Sequence, residues 1–223
     1  MKREKGGMRK DTSAPKKEGL ISDVTLLRLH RRLLKAVKQK GRVAGIERYA
    51  AARVAVLFDM RTADTVIELP AAQIKEALGT ASRNKAGKNR RVVVAWGGET
   101  GAAWLDALEA ARAQSLPVVF VSEARDESPV RMGLPLTDRK LKPGEELPCI
   151  TVDGHDVVAA YRVAHEAIDR ARRDRGPTLI LLATYRIGGS AFTDAVVDME
   201  NYLRGRGLLK TVIGDQGTVK KRR

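Results

Sequence analysis

The most constraining feature of this sequence is a set of short, unbroken apolar runs separated by helical patterns. Arg91 to Trp96 reads RVVVAW, Pro117 to Val121 reads PVVFV, and Thr178 to Ala183 reads TLILLA. A strand wetted on one face alternates apolar and polar residues. A continuous run of β-branched and aliphatic residues instead needs cover on both faces, as in a parallel sheet. Between the first two runs lies GAAWLDALEAARAQS, residues 101–115, which has helical spacing. Strand, helix, strand in that order implies a parallel pair joined by a right-handed crossover. The expected fold is therefore α/β, with a parallel sheet, helices on both faces and a helical N-terminal portion.

The remaining segments fill in around these strands. Ser22 is a suitable N-cap and Asp23 suits a first helical turn; Leu26, Leu27, Leu29, Leu33, Leu34 and Val37 then recur at helical spacing up to Gly41. Residues 46–58 read as a second, more apolar helix. A third is expected from about Pro70 to Thr80, with the basic stretch SRNKAGKNRR after it as a loop. Asp126 to Pro148 is dotted with Pro and Gly and reads as a loop, followed by a short strand at Ile150–Val152. Asp156 to Arg173 places Val157, Ala160, Tyr161, Ala164, Ala167, Ile168 and Ala171 on one helical face, and a last helix covers Asp194 to Arg204. The expected organisation is a basic tail over residues 1–19, one α/β domain over 20–209, and a second basic tail over 210–223.

Charge has to be placed before it is interpreted. The chain of 223 residues carries +15, which invites a nucleic-acid reading. Residues 1–19 carry +4, Arg28 to Arg42 +7, Arg83 to Arg91 +5 and Gln216 to Arg223 +4, so everything else carries −5. Aromatic residues are only 4% and do not interleave with the basic runs, as a base-stacking platform requires. The basic periphery fits solvation or an acidic partner, with nucleic acid as the lesser alternative. No apolar run approaches the ~20 residues of a membrane-spanning helix. The single cysteine, Cys149, excludes an intrachain disulfide and a cysteine-built metal site, and a reducing cytoplasm is the expected location. His30, His155 and His165 do not have metal-ligand spacing. Asp153 and Asp156 are expected to fix a turn and cap a helix, with His155 a surface residue in that turn.

Ligands of parallel α/β sheets bind at the carboxyl ends of the strands. That directs attention to Gly97–Gly101, Ser122–Asp126 and Arg186–Thr193. Gly97-Gly98, at a strand end before a helix, could cradle a phosphate on the helix N-terminus or could simply make a tight turn. Glu99 could be a metal ligand or a first-turn carboxylate that favours the helix dipole.

Three blocks, in order, resemble the alpha subunit of the thiamine-diphosphate-dependent decarboxylase component of 2-oxo acid dehydrogenases. The strongest is VDGHDVVAAYRVAHEAIDRARRDRGPTLILLATYR, Val152 to Arg186. Val92 to Glu123 and ISDVTLLRLHRRLLKAV support it, and DAVVDMENYLRGRGLL resembles the family's closing helix. The resemblance spans most of residues 20–209, with large deletions. It implies the thiamine-diphosphate-binding fold, thiamine diphosphate with Mg²⁺, oxidative decarboxylation with acyl transfer to lipoamide, and a homo- or hetero-oligomer with a beta-subunit-like partner.

The family's functional positions are altered here. A gapless count back from Pro117 puts Trp96 on the metal-binding Asp. A two-residue shift instead puts Gly98 there, leaving Glu99 as the nearby carboxylate. The family's Asn pair falls on Ala124-Arg125, with Asp126 displaced, and an arginine there repels Mg²⁺. In Arg186-Ile187-Gly188-Gly189-Ser190, Gly189 occupies the place of the catalytic His, and glycine cannot move a proton. The resemblance thus leaves Gly97, Gly98, Glu99, Arg186 and Ser190 as candidate cofactor contacts and Glu99 or Asp126 as substitute metal ligands. It leaves no catalytic residue. The expectation is a non-catalytic or partner-dependent homologue, a pseudoenzyme; the alternatives are an active oxidoreductase subunit with substitute ligands, or a basic binding module.

Overall fold

A computed structural model describes residues 21–40, 46–69, 73–97, 102–124, 149–183 and 194–210. In chain order these form α1 (Asp23–Lys40), α2 (Ile46–Val56), β1 (Thr65–Leu69), α3 (Ile74–Ala86), β2 (Val93–Gly97), α4 (Ala102–Ala113), β3 (Val118–Ala124), β4 (Cys149–Asp153), α5 (Val157–Arg172), β5 (Thr178–Ala183) and α6 (Ala195–Gly205). The five strands make one sheet in the order β1-β2-β3-β5-β4. Every pairing is parallel.

The order explains where the helices lie. From β1 to β2 to β3 the chain steps the same way across the sheet, so right-handed crossovers put α3 and α4 on one face. Their apolar residues, including Ile74, Ala77, Ala81, Trp104 and Leu108, pack with Ile67, Val93, Ala95, Val118, Phe120, Leu179 and Leu181. From β4 to β5 the chain steps back, so α5 falls on the other face. There it joins α1, α2 and α6 over Val92, Val94, Trp96, Val119, Val121, Ile180 and Leu182. Alternate residues of each central strand thus feed two separate cores, and β2 and β5 are buried along their whole length. This is the expected parallel sheet covered on both faces.

Helix ends follow from local chemistry. Ser22 Oγ accepts the Thr25 N–H at the start of α1. Asp156 accepts the N–H groups of Val158 and Ala159, and Asp194 that of Val196, capping α5 and α6.

Three expectations need correction. β1 was not foreseen: TVIEL is an edge strand in which Ile67 is buried while Val66 and Glu68 face outward, so the apolar signal is a single residue. The third helix begins at Ile74 rather than near Pro70, and it runs through Ala86. Residues 82–86, expected in a loop, therefore belong to a helix. Asn84 continues the buried face of Ala77 and Ala81, and Gly87 closes the last turn by donating to the Arg83 carbonyl. His155, expected at the surface, has a side chain only 13% exposed. The two tail assignments fall outside the described residues.

Candidate functional site

In a parallel sheet all carboxyl ends lie on one side. The register aligns Leu69 with Gly97, Gly97 with Ser122, Ala124 with Ala183, and Ala183 with Asp153. β1 and β2 connect onward to one face through α3 and α4, whereas β4 and β5 connect to the other through α5 and α6. The crossover sense thus reverses around the end of β3, which is where such sheets open a crevice.

Gly97 is the last residue of β2 and is buried. It is the one candidate cofactor contact among the described residues. Gly98, Glu99, Asp126, Arg186, Gly189 and Ser190 lie outside them, in the segments that leave β2, β3 and β5.

The groups that the structure brings together here were not singled out from sequence, except for Trp96. The Trp96 indole is 4% exposed and packs in the core beneath α1, α2, α5 and α6. Its Nε1 donates to Glu123 Oε1 over 2.8 Å, and Glu123 is itself buried. Both residues project to the same face, because the register pairs Trp96 with Val121 and Glu123 is two residues further along β3. On the outer side, the Arg53 guanidinium of α2 lies 5.2 Å from the Trp96 ring centroid and forms an ion pair with Glu68. Glu68 is the register partner of Trp96 on β1. The sequence marks none of these pairings, because each depends on strand register or helix docking. A Trp and a Glu ending adjacent apolar runs are the only signal.

At the end of β4, Asp153 Oδ1 accepts the His155 N–H over 2.8 Å and lies 3.3 Å from the His155 ring Nδ1. The hydrogen bond from His155 holds the Asp153 carboxyl below its usual range, despite partial burial. With Asp156 as the α5 cap, this stretch fixes a turn and starts a helix, as expected. The Cys149 thiol is pushed up by burial, away from the thiolate that reactivity requires. His165 pairs with Asp59, which with burial raises the Tyr161 hydroxyl to about 12; burial is the larger cause. Among the described residues no group of three or more His, Cys, Asp or Glu could hold a metal ion, and no helix is long and apolar enough to cross a membrane.

The similarity to a known family spans this sheet. The profile of the family described as "Dehydrogenase E1 component" matches residues 60–200, more than half of the chain. Pyruvate dehydrogenase E1 component subunit alpha-3, chloroplastic, of Oryza sativa is 39% identical over 95 residues, 41% of this chain and 22% of that protein. The alpha subunit of acetoin:2,6-dichlorophenolindophenol oxidoreductase of Bacillus subtilis is 38% identical over 96 residues, 40% of this chain and 28% of that protein. Pyruvate dehydrogenase E1 component subunit alpha of Staphylococcus aureus is 35% identical over 127 residues, 52% of this chain and 34% of that protein. The chain therefore spans no more than about a third of the length of these relatives. Benzoylformate decarboxylase of Polynucleobacter necessarius superposes with a TM-score of 0.43 at 11% identity, covering 61% of this chain and 33% of that one. The profile match over residues 60–200, which spans the sheet from β1 to β5, places the chain in the dehydrogenase E1 component family.

Proposed function

We propose that this chain is an alpha-subunit-like member of the 2-oxo acid dehydrogenase lineage that keeps the family's sheet and has given up its thiamine diphosphate chemistry, acting without catalysis of its own and in company with another subunit. The observation that carries this reading is the packed end of β2: the Trp96 indole is buried and donates to Glu123, with Arg53 across its ring.

The donor set supports it and does not fit a Mg²⁺–diphosphate centre. Mg²⁺ requires an octahedron of oxygen ligands. Where the family's Asn pair would stand, this chain has Ala124 and Arg125, one without a polar side chain and the other a cation. Gly98 or Trp96 stands in the place of the metal-binding Asp, and Gly189 in that of the His. Glu123 Oε1 already receives the indole N–H. The reading places the chain in the cytoplasm, in an assembly with a beta-subunit-like partner; the partner accords with the relatives' names as alpha subunits.

Isothermal titration of the full chain with thiamine diphosphate and Mg²⁺ tests this. The expected result is no saturable heat. Micromolar binding abolished by Glu99→Ala would instead overturn this reading and support an active subunit with a substitute ligand.

A further inference from the structure

The strongest feature unrelated to the sheet's carboxyl edge is the outward face of α1. Its inward face is settled: Leu26, Leu29 and Leu33 are fully buried against α2 and α6. On the opposite side, Val24 is 58%, Leu27 38% and Leu34 42% exposed. The other exposed large apolar residues among those described, Val66 and Val197, stand singly on β1 and α6. Single exposed apolar residues are ordinary on protein surfaces, whereas a line of them marks a contact.

The line has a period. Val24, Leu27, Arg31, Leu34 and Lys38 alternate spacings of three and four, which keeps them on one seam of a helix, as in a two-helix coiled coil. Arg28 and Lys35 each follow a seam leucine and flank it on one side. All four basic residues are exposed and none is paired with a carboxylate among the described residues. The one acid on α1, Asp23, is taken by Arg206 at 3.1 Å. The face therefore joins apolar contacts to uncompensated positive charge.

We propose that the outward face of α1 docks an amphipathic helix of another protein, one with an apolar seam and acidic flanks. Charge complementarity selects this occupant. A second copy of the chain would set Arg31, Lys38 and their flanking cations against their own counterparts, and residues 1–19 and 216–223 are likewise basic, at +4 each. A nucleic acid backbone would satisfy the cations but leave three apolar side chains against phosphate. A lipid surface would gain little from three apolar residues interrupted by Arg31. The surface is independent of whether the carboxyl edge of the sheet binds cofactor.

Fluorescence anisotropy of the full chain can decide, with a labelled helical peptide of leucine seam and glutamate flanks as the probe. Saturable binding is expected, weakened at least tenfold by the double change Leu27→Ser, Leu34→Ser. A probe whose leucines are replaced by serine should bind at least tenfold more weakly. Arg31→Glu with Lys35→Glu should transfer preference to a lysine-flanked probe, and this charge swap keeps the test decisive if circular dichroism shows the serine variant misfolded. Binding of the serine-seam probe as tight as that of the leucine-seam probe would overturn the proposal. So would self-association, or binding to duplex DNA or to phosphatidylserine vesicles, that depends on Leu27 and Leu34.

Discussion

The two ends of the sheet are built differently. At the amino end, Asp64 sits just before β1 with its side chain 1% exposed, yet every lone pair has a use. Arg172 of α5 donates to Oδ1 over 3.1 Å and to Oδ2 over 2.7 Å, and the Val92 and Arg61 N–H groups donate over 2.9 and 2.8 Å. Arg172 also reaches the Arg90 carbonyl at 3.0 Å. The cluster ties the entry of β1 to the approach to β2 and to the last turn of α5. At the carboxyl end, the described contacts around β2 rest on a large ring: Trp96 to Glu123 inside, Arg53 and Glu68 outside. Among the described residues, one end is a clamp made of charge, and the other sets a buried ring against a polar rim. In this architecture ligands bind at the carboxyl end, so the difference teaches that the charged clamp has been placed at the end away from ligand binding.

Breaking the clamp should have the largest effect. Asp64→Asn leaves the Arg172 guanidinium buried without its counter-charge and should cost about 3–5 kcal/mol in urea unfolding. Acid titration of stability sharpens the point. Burial raises the Asp64 carboxyl, but Arg172 and the two backbone donors outweigh it, and the folded value lies below 3.8. The unfolded chain therefore binds the proton more readily. The contribution from Asp64 is complete above its unfolded value, near pH 4, and is lost as pH falls through the lower folded value. Asp64→Asn should flatten that acid limb of the stability curve, leaving the slope from Asp153, which is shifted the same way.

Trp96→Phe keeps most of the apolar volume and removes the indole donor. The loss should be about 1–3 kcal/mol, the cost of disturbing a buried hydrogen bond, measured by thermal unfolding. Asp156→Ala removes the cap that accepts from Val158 and Ala159 and should cost about 1 kcal/mol, read as earlier melting. Arg53→Met is the smallest: the guanidinium is partly exposed, so losing its contact with the Trp96 ring should cost about 0.5–1 kcal/mol. A carboxyl-end variant that destabilised as strongly as Asp64→Asn would erase the contrast between the ends.

The contrast was partly legible in the sequence. RVVVAW, PVVFV and TLILLA announce central parallel strands because burial on both faces leaves no polar position, and the run from Val152 to Arg186 carries the family resemblance. TVIEL does not announce β1, because an edge strand needs only Ile67 to be apolar. The clamp is invisible, since Asp64 and Arg172 lie 108 residues apart and meet only through the docking of α5. Trp96 stands out in the sequence as one of two residues, with Gly98, that align with the family's metal ligand, but its partner Glu123 follows from register, which a single sequence does not state. The extension of α3 through Ala86 was obscured by charge, although Ala77, Ala81 and Asn84 have helical spacing.

The central claim is the proposal that thiamine diphosphate does not bind beside the buried Trp96 at the end of β2. The chain has two tryptophans, Trp96 and Trp104. Trp104→Phe, a ring-for-ring change beside Phe120, leaves Trp96 as the sole indole, and its emission can be followed during titration with thiamine diphosphate and Mg²⁺. The account predicts blue-shifted emission that stays constant to millimolar cofactor beyond simple absorption. Saturable quenching at micromolar concentration, reversed by removing Mg²⁺, would contradict it.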